Sequence, residues 1–256
     1  MRADRLLPRG DRPAAALRFA VNYTLSSALS VLNPHQLRQG WEQLRAAELG
    51  HGPPHEAHTE FRLPLVGRWL VSNGGTTPET SHSWDIVTQR YAHDFLMVDE
   101  AGRTHVGTGD RLEDYHAYGH PVVAPAAGRV VRVVNGIRDA PRVGTGWVDW
   151  RSPDIGGNSI TIEHDAGEYS FLAHLMPGSL QVRPDEPVAR GQPVARVGNS
   201  GLSTEPHLHF QAQDGPSMTA SLGLIARFTF ASTAGAGGAP TTLTRGDLVE
   251  GPPAEQ

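Results

Sequence analysis

Short runs of alternating apolar and polar residues recur along most of the chain after residue 60. Runs such as NSITIEH and EYSFLAHL place apolar side chains at every second position, as in a β-strand with one buried face. Turns rich in Gly, Pro, Asn and Asp separate the runs. We therefore expect a mainly β fold, an antiparallel sheet or sandwich. The predicted strands lie within residues 61–71, 89–98, 121–134 (a hairpin bent at 125–128), 158–164, 168–175, 193–197, 207–213 and 243–249.

The first sixty residues follow a different pattern. Asn33 and Pro34 favour a helix start, and apolar residues then recur at helical spacing, so we expect a helix at about 34–49 that packs on the main body. Residues 1–18 are rich in Arg and Pro and are expected to be disordered, and residues 14–32 are too polar for a spanning helix or a clear secretory signal. We divide the chain into an N-terminal extension (1–60), a main domain (61–231) and a C-terminal tail, mostly loop (232–256).

Composition narrows the chemistry that this sheet can carry. The net charge of −5 provides no basic field for nucleic acid, so we expect no nucleic-acid partner. The chain has no cysteine, which excludes disulfides and thiolate metal sites. It has 13 histidines, so a metal site built from histidine and carboxylate is the kind to look for.

The stretch GNSGLSTEPHLHF, residues 198–210, contains the best candidate for such chemistry. In a β-strand, His207 and His209 point to one face while Leu208 and Phe210 point to the other. Two imidazoles about 7 Å apart on one face can share a metal, or one can be a ligand and the other an acid or base. By itself, the H-x-H pattern fits two surface histidines on an edge strand equally well.

Other segments, in order along the chain, narrow these alternatives. They are AHDF at 92–95, GHPVVAPAAGRVVRV at 119–133, NSITIEH at 158–164, AHL at 173–175 and GQPVARVGNSG at 191–201, ahead of HLHF at 207–210. Together they resemble the lysostaphin-type (LytM-type) zinc metallopeptidases over about residues 69–230. The resemblance implies a twisted antiparallel sheet that binds zinc, hydrolysis of peptide bonds in bacterial peptidoglycan, and a location outside the cytoplasmic membrane. It leaves membrane association open.

The resemblance also implies roles for individual residues. Asp94 and His209 correspond to zinc ligands, and His174 and His207 to the histidines that flank the open metal position. Three protein ligands leave that position for water, whose pKa the metal lowers, and a nearby imidazole can accept the proton.

The sequence departs from the usual H-x-x-x-D pattern at its first ligand, because Arg90 stands there. The segment QRYAHDF is similar to a divergent branch of the family, and this likeness implies His82 as the third ligand. Otherwise the ligand is lost. His93 competes for the role, but a regular strand turns it away from Asp94.

Two further readings of the whole chain follow. With a ligand lost, the protein would be an inactive homologue that binds or regulates other wall hydrolases. The paired PVVAPAAGRVVRV and GQPVARVG segments also resemble biotinyl and lipoyl carrier domains, but those domains need a lysine and this chain has none.

Three further histidines and one asparagine lie near predicted turns or strand ends. His116 and His120 are expected in a surface loop, with a place along a groove as the alternative. His164 is expected to be solvated at a turn, and Asn158 to be either structural or functional.

Overall fold

The computed structural model describes residues 12–49, 55–229 and 240–253. Two helices, α1 (Arg12–Leu29) and α2 (Pro34–Leu49), are joined by a 3-10 turn, Ser30–Leu32, and precede a body of short strands separated by turns and loops. Among the residues described, no helix combines the length and apolar character needed to cross a membrane. The strands are β1 (Glu56–Arg62), β2 (Gly67–Asn73), β3 (His93–Leu96), β4 (Pro121–Val123), β5 (Gly128–Val134), β6 (Asn158–Glu163), β7 (Tyr169–Leu175), β8 (Pro187–Val188), β9 (Pro193–Arg196), β10 (Leu208–Gln213), β11 (Gly223–Thr229) and β12 (Leu248–Gly251).

One large sheet organises the body. Its strands follow the order β12-β2-β3-β10-β7-β6-β5-β8, with antiparallel neighbours throughout. Strand β11 pairs antiparallel with the end of β10 and parallel with β1. Strands β4 and β9 form a separate two-stranded sheet. The mainly β, antiparallel fold with an N-terminal helical extension is confirmed. Strands β3, β10 and β7 lie side by side in the middle of the large sheet.

Aromatic side chains fill the core beneath these central strands. Phe61, Phe210 and Phe228 are fully buried, and their rings meet edge to face or tilted at centroid distances between 5.1 and 6.4 Å. Burying one such side chain stabilises the fold by about 1.5–3 kcal/mol. Leu208 and Phe210 belong to this core, so the alternate residues of the same segment are directed to the other face.

Two predicted elements agree with the structure. Helix α2 spans Pro34–Leu49 as expected, and Gly50, the next residue, lies outside the described residues. Strands β6 and β7 form the predicted antiparallel pair. Helix α2 does contact the body, but its apolar residues Leu37, Trp41 and Leu44 are exposed. The proposed division into three regions stays a prediction.

The predicted hairpin at 121–134 is wrong. Strand β4 pairs with β9, whereas β5 pairs with β6 and β8 in the large sheet. The end of β1 holds the corner between β4 and β5, because the Arg62 N–H donates a hydrogen bond to the carbonyl of Pro125. Gly128 starts β5 so close to β6 that a Cβ there would lie 2.2 Å from the Glu163 carbonyl. The segment therefore crosses between sheets.

Three other expectations need correction. Residues 12–18 belong to α1 rather than to a disordered start, while residues 1–11 lie outside the described range. Strand β1 begins at Glu56, before the start of the predicted strand at 61–71. The predicted strand at 89–98 is reduced to β3, because turn hydrogen bonds from Gln89 N to Ile86 O and from Ala92 N to Gln89 O occupy the preceding backbone.

Candidate metal centre

The centre starts from the pairing of two adjacent strands. In the antiparallel register of β3 and β10, His209 lies directly opposite Asp94. Residues opposite one another in such a pair share a face, and here that face is the one away from Phe210 and the core. The Nδ1 atom of His209 lies 2.9 Å from Oδ1 of Asp94, and both side chains are buried.

The third side chain comes from the loop between β2 and β3. The Nδ1 atom of His82 lies 3.5 Å from Oδ2 of Asp94, the oxygen not contacted by His209. One potential ligand atom from each of His82, Asp94 and His209 lies within 4.8 Å of the others. The His82 side chain is 31% exposed, so the centre opens to solvent on this side.

Arg90 holds the loop that carries His82. Its carbonyl accepts a 2.8 Å hydrogen bond from Ser81 Oγ, and its Nε donates a 2.8 Å hydrogen bond to the Trp84 carbonyl. The guanidinium also lies 5.2 Å from the centre of the Trp84 ring. Arg90, which stands at the usual ligand position, therefore holds the backbone on both sides of His82.

The electrostatics favour an ionised carboxylate at the centre. Burial by itself would raise the pKa of Asp94, but the imidazoles of His82, His209 and His207 hold it well below its usual range. Asn73 Nδ2 also donates a 3.1 Å hydrogen bond to Oδ2. Burial, together with the neighbouring imidazoles, lowers the pKa of His82 against the opposing effect of Asp94, which favours the neutral, ligand-competent ring.

Two more imidazoles stand beside this group. The Nδ1 atom of His207 lies 2.8 Å from the Glu205 carbonyl, and that of His174 lies 2.7 Å from the Ser200 carbonyl. A carbonyl only accepts, so in each ring Nδ1 carries the proton and Nε2 is free in the neutral form. The Nε2 atom of His207 lies 3.7 Å from Asp94 Oδ1. The ring centroids of His174 and His207 are 4.7 Å apart.

His174 has an unusual backbone and a strongly shifted pKa. Its φ is +59°, a left-handed conformation that costs a non-glycine residue about 1–3 kcal/mol. Burial, with the nearby imidazoles of His207 and His209, holds its pKa well below the ordinary value. The ring is therefore neutral near pH 7 and faces the centre as a proton acceptor.

The donor set fits a zinc ion. Two imidazole nitrogens and a carboxylate oxygen are ordinary zinc ligands, and three of them leave one position open. Donors of neighbouring ligands in a tetrahedron with bonds near 2.0–2.1 Å are about 3.3 Å apart. The 2.9 Å between His209 Nδ1 and Asp94 Oδ1 and the 3.5 Å between His82 Nδ1 and Asp94 Oδ2, measured to different oxygens of the carboxylate, are each near that value.

The other histidines considered from the sequence lie outside this group. His93 is buried on the opposite face, where its Nε2 lies 3.1 Å from the Leu243 carbonyl and burial lowers its pKa to about 4. His164 is not solvated: it is buried between the Ala127 carbonyl and the Ser170 hydroxyl, at 2.8 Å from each. The ring of His120 packs edge-on against Trp69, and neither it nor His116 joins the centre.

Asn158 is buried and ties strand ends together. Its side chain forms hydrogen bonds with the backbone of Ile137 and Leu175. These contacts agree with the prediction of a structural role.

Two supporting residues were missed from the sequence. Asn73 follows the predicted strand at 61–71, and an irregularity in the β2–β3 register brings it opposite Asp94. Ser203 bonds Asn199 Oδ1 and lies 3.2 Å from His207 Nδ1. Neither has a distinguishing signal in the sequence, since Asn and Ser are common in turns.

Comparison with known proteins gives one family match and one curated relative. Residues 112–219 match the profile of Peptidase family M23, a range that holds His174, His207 and His209 but neither His82 nor Asp94. The chain is 35% identical over 79 residues to the glycyl-glycine endopeptidase ALE-1 of Staphylococcus capitis. That alignment covers 30% of this chain and only 20% of the relative.

Several solved structures are similar to the chain. A catalytic-domain mutant of the prophage-encoded M23 protein EnpA from Enterococcus faecalis shares 19% identity, with a TM-score of 0.38, over 67% of this chain and 92% of that one. The lysostaphin catalytic domain from Staphylococcus simulans shares 20% identity, with a TM-score of 0.34, over 62% and 88%. A zinc-containing peptidase from Vibrio cholerae shares 19%, with a TM-score of 0.33, over 66% and 37%.

The sequence matches indicate the class of protein. Residues 112–219 match peptidase family M23, and a part of the chain is homologous to a lysostaphin-type endopeptidase, as the ordered motifs predicted.

Proposed function

We propose that this protein is a zinc-dependent endopeptidase that cleaves peptide bonds in bacterial peptidoglycan. The observation that supports it best is the convergence of His82, Asp94 and His209 beside two further imidazoles with free Nε2 atoms. The M23 match and the activity named for the staphylococcal relative support the substrate class. We assign catalysis to the main domain, residues 61–231, and its place of action to the outside of the cytoplasmic membrane, where peptidoglycan lies.

His82, Asp94 and His209 would hold the metal. When bound, zinc supplies a Lewis acid that acidifies water and polarises a carbonyl. Asp94 keeps its negative charge at neutral pH, so it offsets part of the charge of a divalent cation. Asn73 orients Oδ2 of that carboxylate through its amide.

His207 and His174 would move protons. The Glu205 carbonyl fixes the His207 tautomer, so its free Nε2 is directed toward Asp94 and can accept a proton from water. His174 is held in the same tautomer by the Ser200 carbonyl. Once protonated, either ring can stabilise an oxyanion or return the proton to the leaving amine.

Metal content and hydrolysis test the proposal together. The purified full chain, dialysed against zinc, should retain about one zinc per molecule and release peptides from isolated bacterial walls. His209→Ala should lose both properties, whereas His35→Ala, a change in exposed α2, should keep both. Walls with different cross-bridges would identify the bond. Hydrolysis that survives in the His209 variant would contradict the proposal.

The alternative function is an inactive homologue that binds walls or regulates other wall hydrolases. Arg90, which cannot be a ligand, stands at the usual position of the first ligand and favours this reading. A chain that binds walls yet takes up no zinc after reconstitution, and cleaves none of the walls, would support it.

A further inference from the structure

Exposed apolar side chains concentrate on the two N-terminal helices. Of the twelve large apolar side chains that are exposed among the described residues, ten lie within residues 17–44. Those on α1 include Leu17, Val21 and Leu25, spaced four residues apart on one side of the helix. The two outside this region, Ile86 and Val106, are single exposed residues of a kind found on any surface.

The same helices contact the body with polar side chains. The backbone of residues 145–155 is bonded by five of them, namely Asn22, Ser26, Asn33, Gln36 and Gln39. Glu42 of α2 in addition accepts a hydrogen bond from Thr219. A helix on a globular protein normally buries its apolar side and exposes its polar side. Here the arrangement is reversed, so the outer side of the helices is built for an apolar environment.

The outer side of α2 combines apolar and cationic groups. Leu37, Trp41 and Leu44 are 44%, 64% and 61% exposed and lie at helical spacing on one face. Leu37 and Trp41 line a shallow depression that Arg38, Arg45 and Glu42 also border. Arg38 pairs with Glu42 at 3.4 Å, whereas Arg45 has its place on the same rim. Leu, Trp and Arg together are typical of helices that lie in the interface of a bilayer.

Charge is distributed unevenly along the chain. Residues 1–49 contain seven arginines against four acidic residues, whereas residues 50–256 contain fifteen against twenty-three. Helix α1 has no acidic residue. The part of the chain that exposes apolar side chains is therefore also its cationic part, and the remainder is acidic.

We propose that the outer side of α1 and α2 docks on a lipid bilayer with anionic headgroups. The apolar side chains enter the boundary between headgroups and acyl chains, and Arg18, Arg38 and Arg45 contact lipid phosphates. A second copy is a poorer occupant, because a symmetric contact sets each arginine patch against its own copy. The described surface outside the helices offers no matching apolar face.

Vesicle binding tests this proposal with the full chain. The protein should cosediment with vesicles of phosphatidylcholine and phosphatidylglycerol, and much less with phosphatidylcholine alone. Combining Leu37→Ser, Trp41→Ser and Leu44→Ser should lower the partition coefficient at least about tenfold. The matched control, Ile86→Ser with Val106→Ser, should bind like the original chain. Arg38→Gln with Arg45→Gln should remove the preference for anionic vesicles.

Three results would overturn the proposal. They are no binding to anionic vesicles, equal binding to neutral and anionic vesicles, and unchanged binding in the triple variant. A dimer in sedimentation velocity that the triple variant loses would assign the surface to a second copy instead. Zinc content and hydrolysis of a soluble peptide should not change in these variants, so failure here is separable from failure of the proposed enzyme.

Discussion

Asp94 is the residue on which the candidate centre depends. Its two oxygens are approached by three imidazoles and one amide, from a loop and two neighbouring strands. Because burial opposes ionisation, the charge persists only through these partners. A buried carboxylate of this kind suits a cation, and each surrounding histidine has a different task that separate substitutions can resolve.

His207→Gln should separate proton transfer from metal binding. Its ring is positioned by the Glu205 carbonyl and is not among the three candidate ligands. We expect the variant to keep its zinc and to lose about 10²–10⁴-fold in kcat, the usual contribution of a positioned acid or base. Metal analysis and steady-state kinetics check this. Loss of zinc in the variant would instead make His207 a ligand.

His164→Gln should change how stability depends on pH. Burial lowers the pKa of His164 in the folded protein, against smaller opposing effects that include Glu168. The unfolded chain therefore binds the proton more readily than the folded protein. The free energy of unfolding is not reduced by this effect above about pH 6.5, and it falls as the pH drops below that value. In the variant, the slope of the free energy of unfolding against pH should be smaller by up to about 1.4 kcal/mol per pH unit. Urea unfolding between about pH 7.5 and 5.5 measures it, and an unchanged slope would contradict the expectation.

At the scale of elements, the centre joins a rigid strand pair to a loop that needs its own support. Asp94 and His209 are fixed by the ladder between β3 and β10. The loop that carries His82 depends on the backbone carbonyl of Arg90, which Ser81 bonds, and on the Arg90 side chain, which bonds the Trp84 carbonyl and stacks on the Trp84 ring. The orientation of a ligand by its neighbours affects metal affinity because a displaced ligand must be reordered on binding.

Arg90→Ala should therefore weaken zinc binding without removing a ligand. We expect the dissociation constant to rise by about 10–100-fold, as for other residues that orient metal ligands. Competition with a chromophoric chelator measures it. Arg151→Ala is the matched control, since Arg151 also stacks on a tryptophan, Trp150, in a loop without a candidate ligand. Equal affinities in the two variants would leave Arg90 without a positioning role.

At the scale of the whole molecule, a bound metal would link the loop before β3 to the centre of the large sheet. A ligand present at 100 times its dissociation constant stabilises the folded state by about 2.7 kcal/mol. For a protein of this size each kcal/mol raises Tm by about 2–4 °C. We expect EDTA to lower Tm by about 5–10 °C in the original chain and to leave His209→Ala unchanged. A Tm insensitive to EDTA in both would argue against a structural effect of the metal.

The sequence alone determined the features that arise from local order. Alternation around Leu208 sets His207 and His209 on one face, and Asn33 and Pro34 start a helix. The ordered motifs predicted the lysostaphin-type resemblance that the M23 match of residues 112–219 confirms. These features depend on neighbours within a few residues or on motif order, both of which a single sequence contains.

Only the tertiary structure decided which segments meet. Strands β4 and β5 joined different sheets, His164 became buried, and Asn73 reached Asp94, because distant parts of the chain supplied their partners. Helical spacing likewise could not tell which side of α2 faces the body, since the loop at 145–155 offers backbone groups that select polar side chains. Long-range hydrogen bonds and burial are properties of the assembled chain, and local patterns do not contain them.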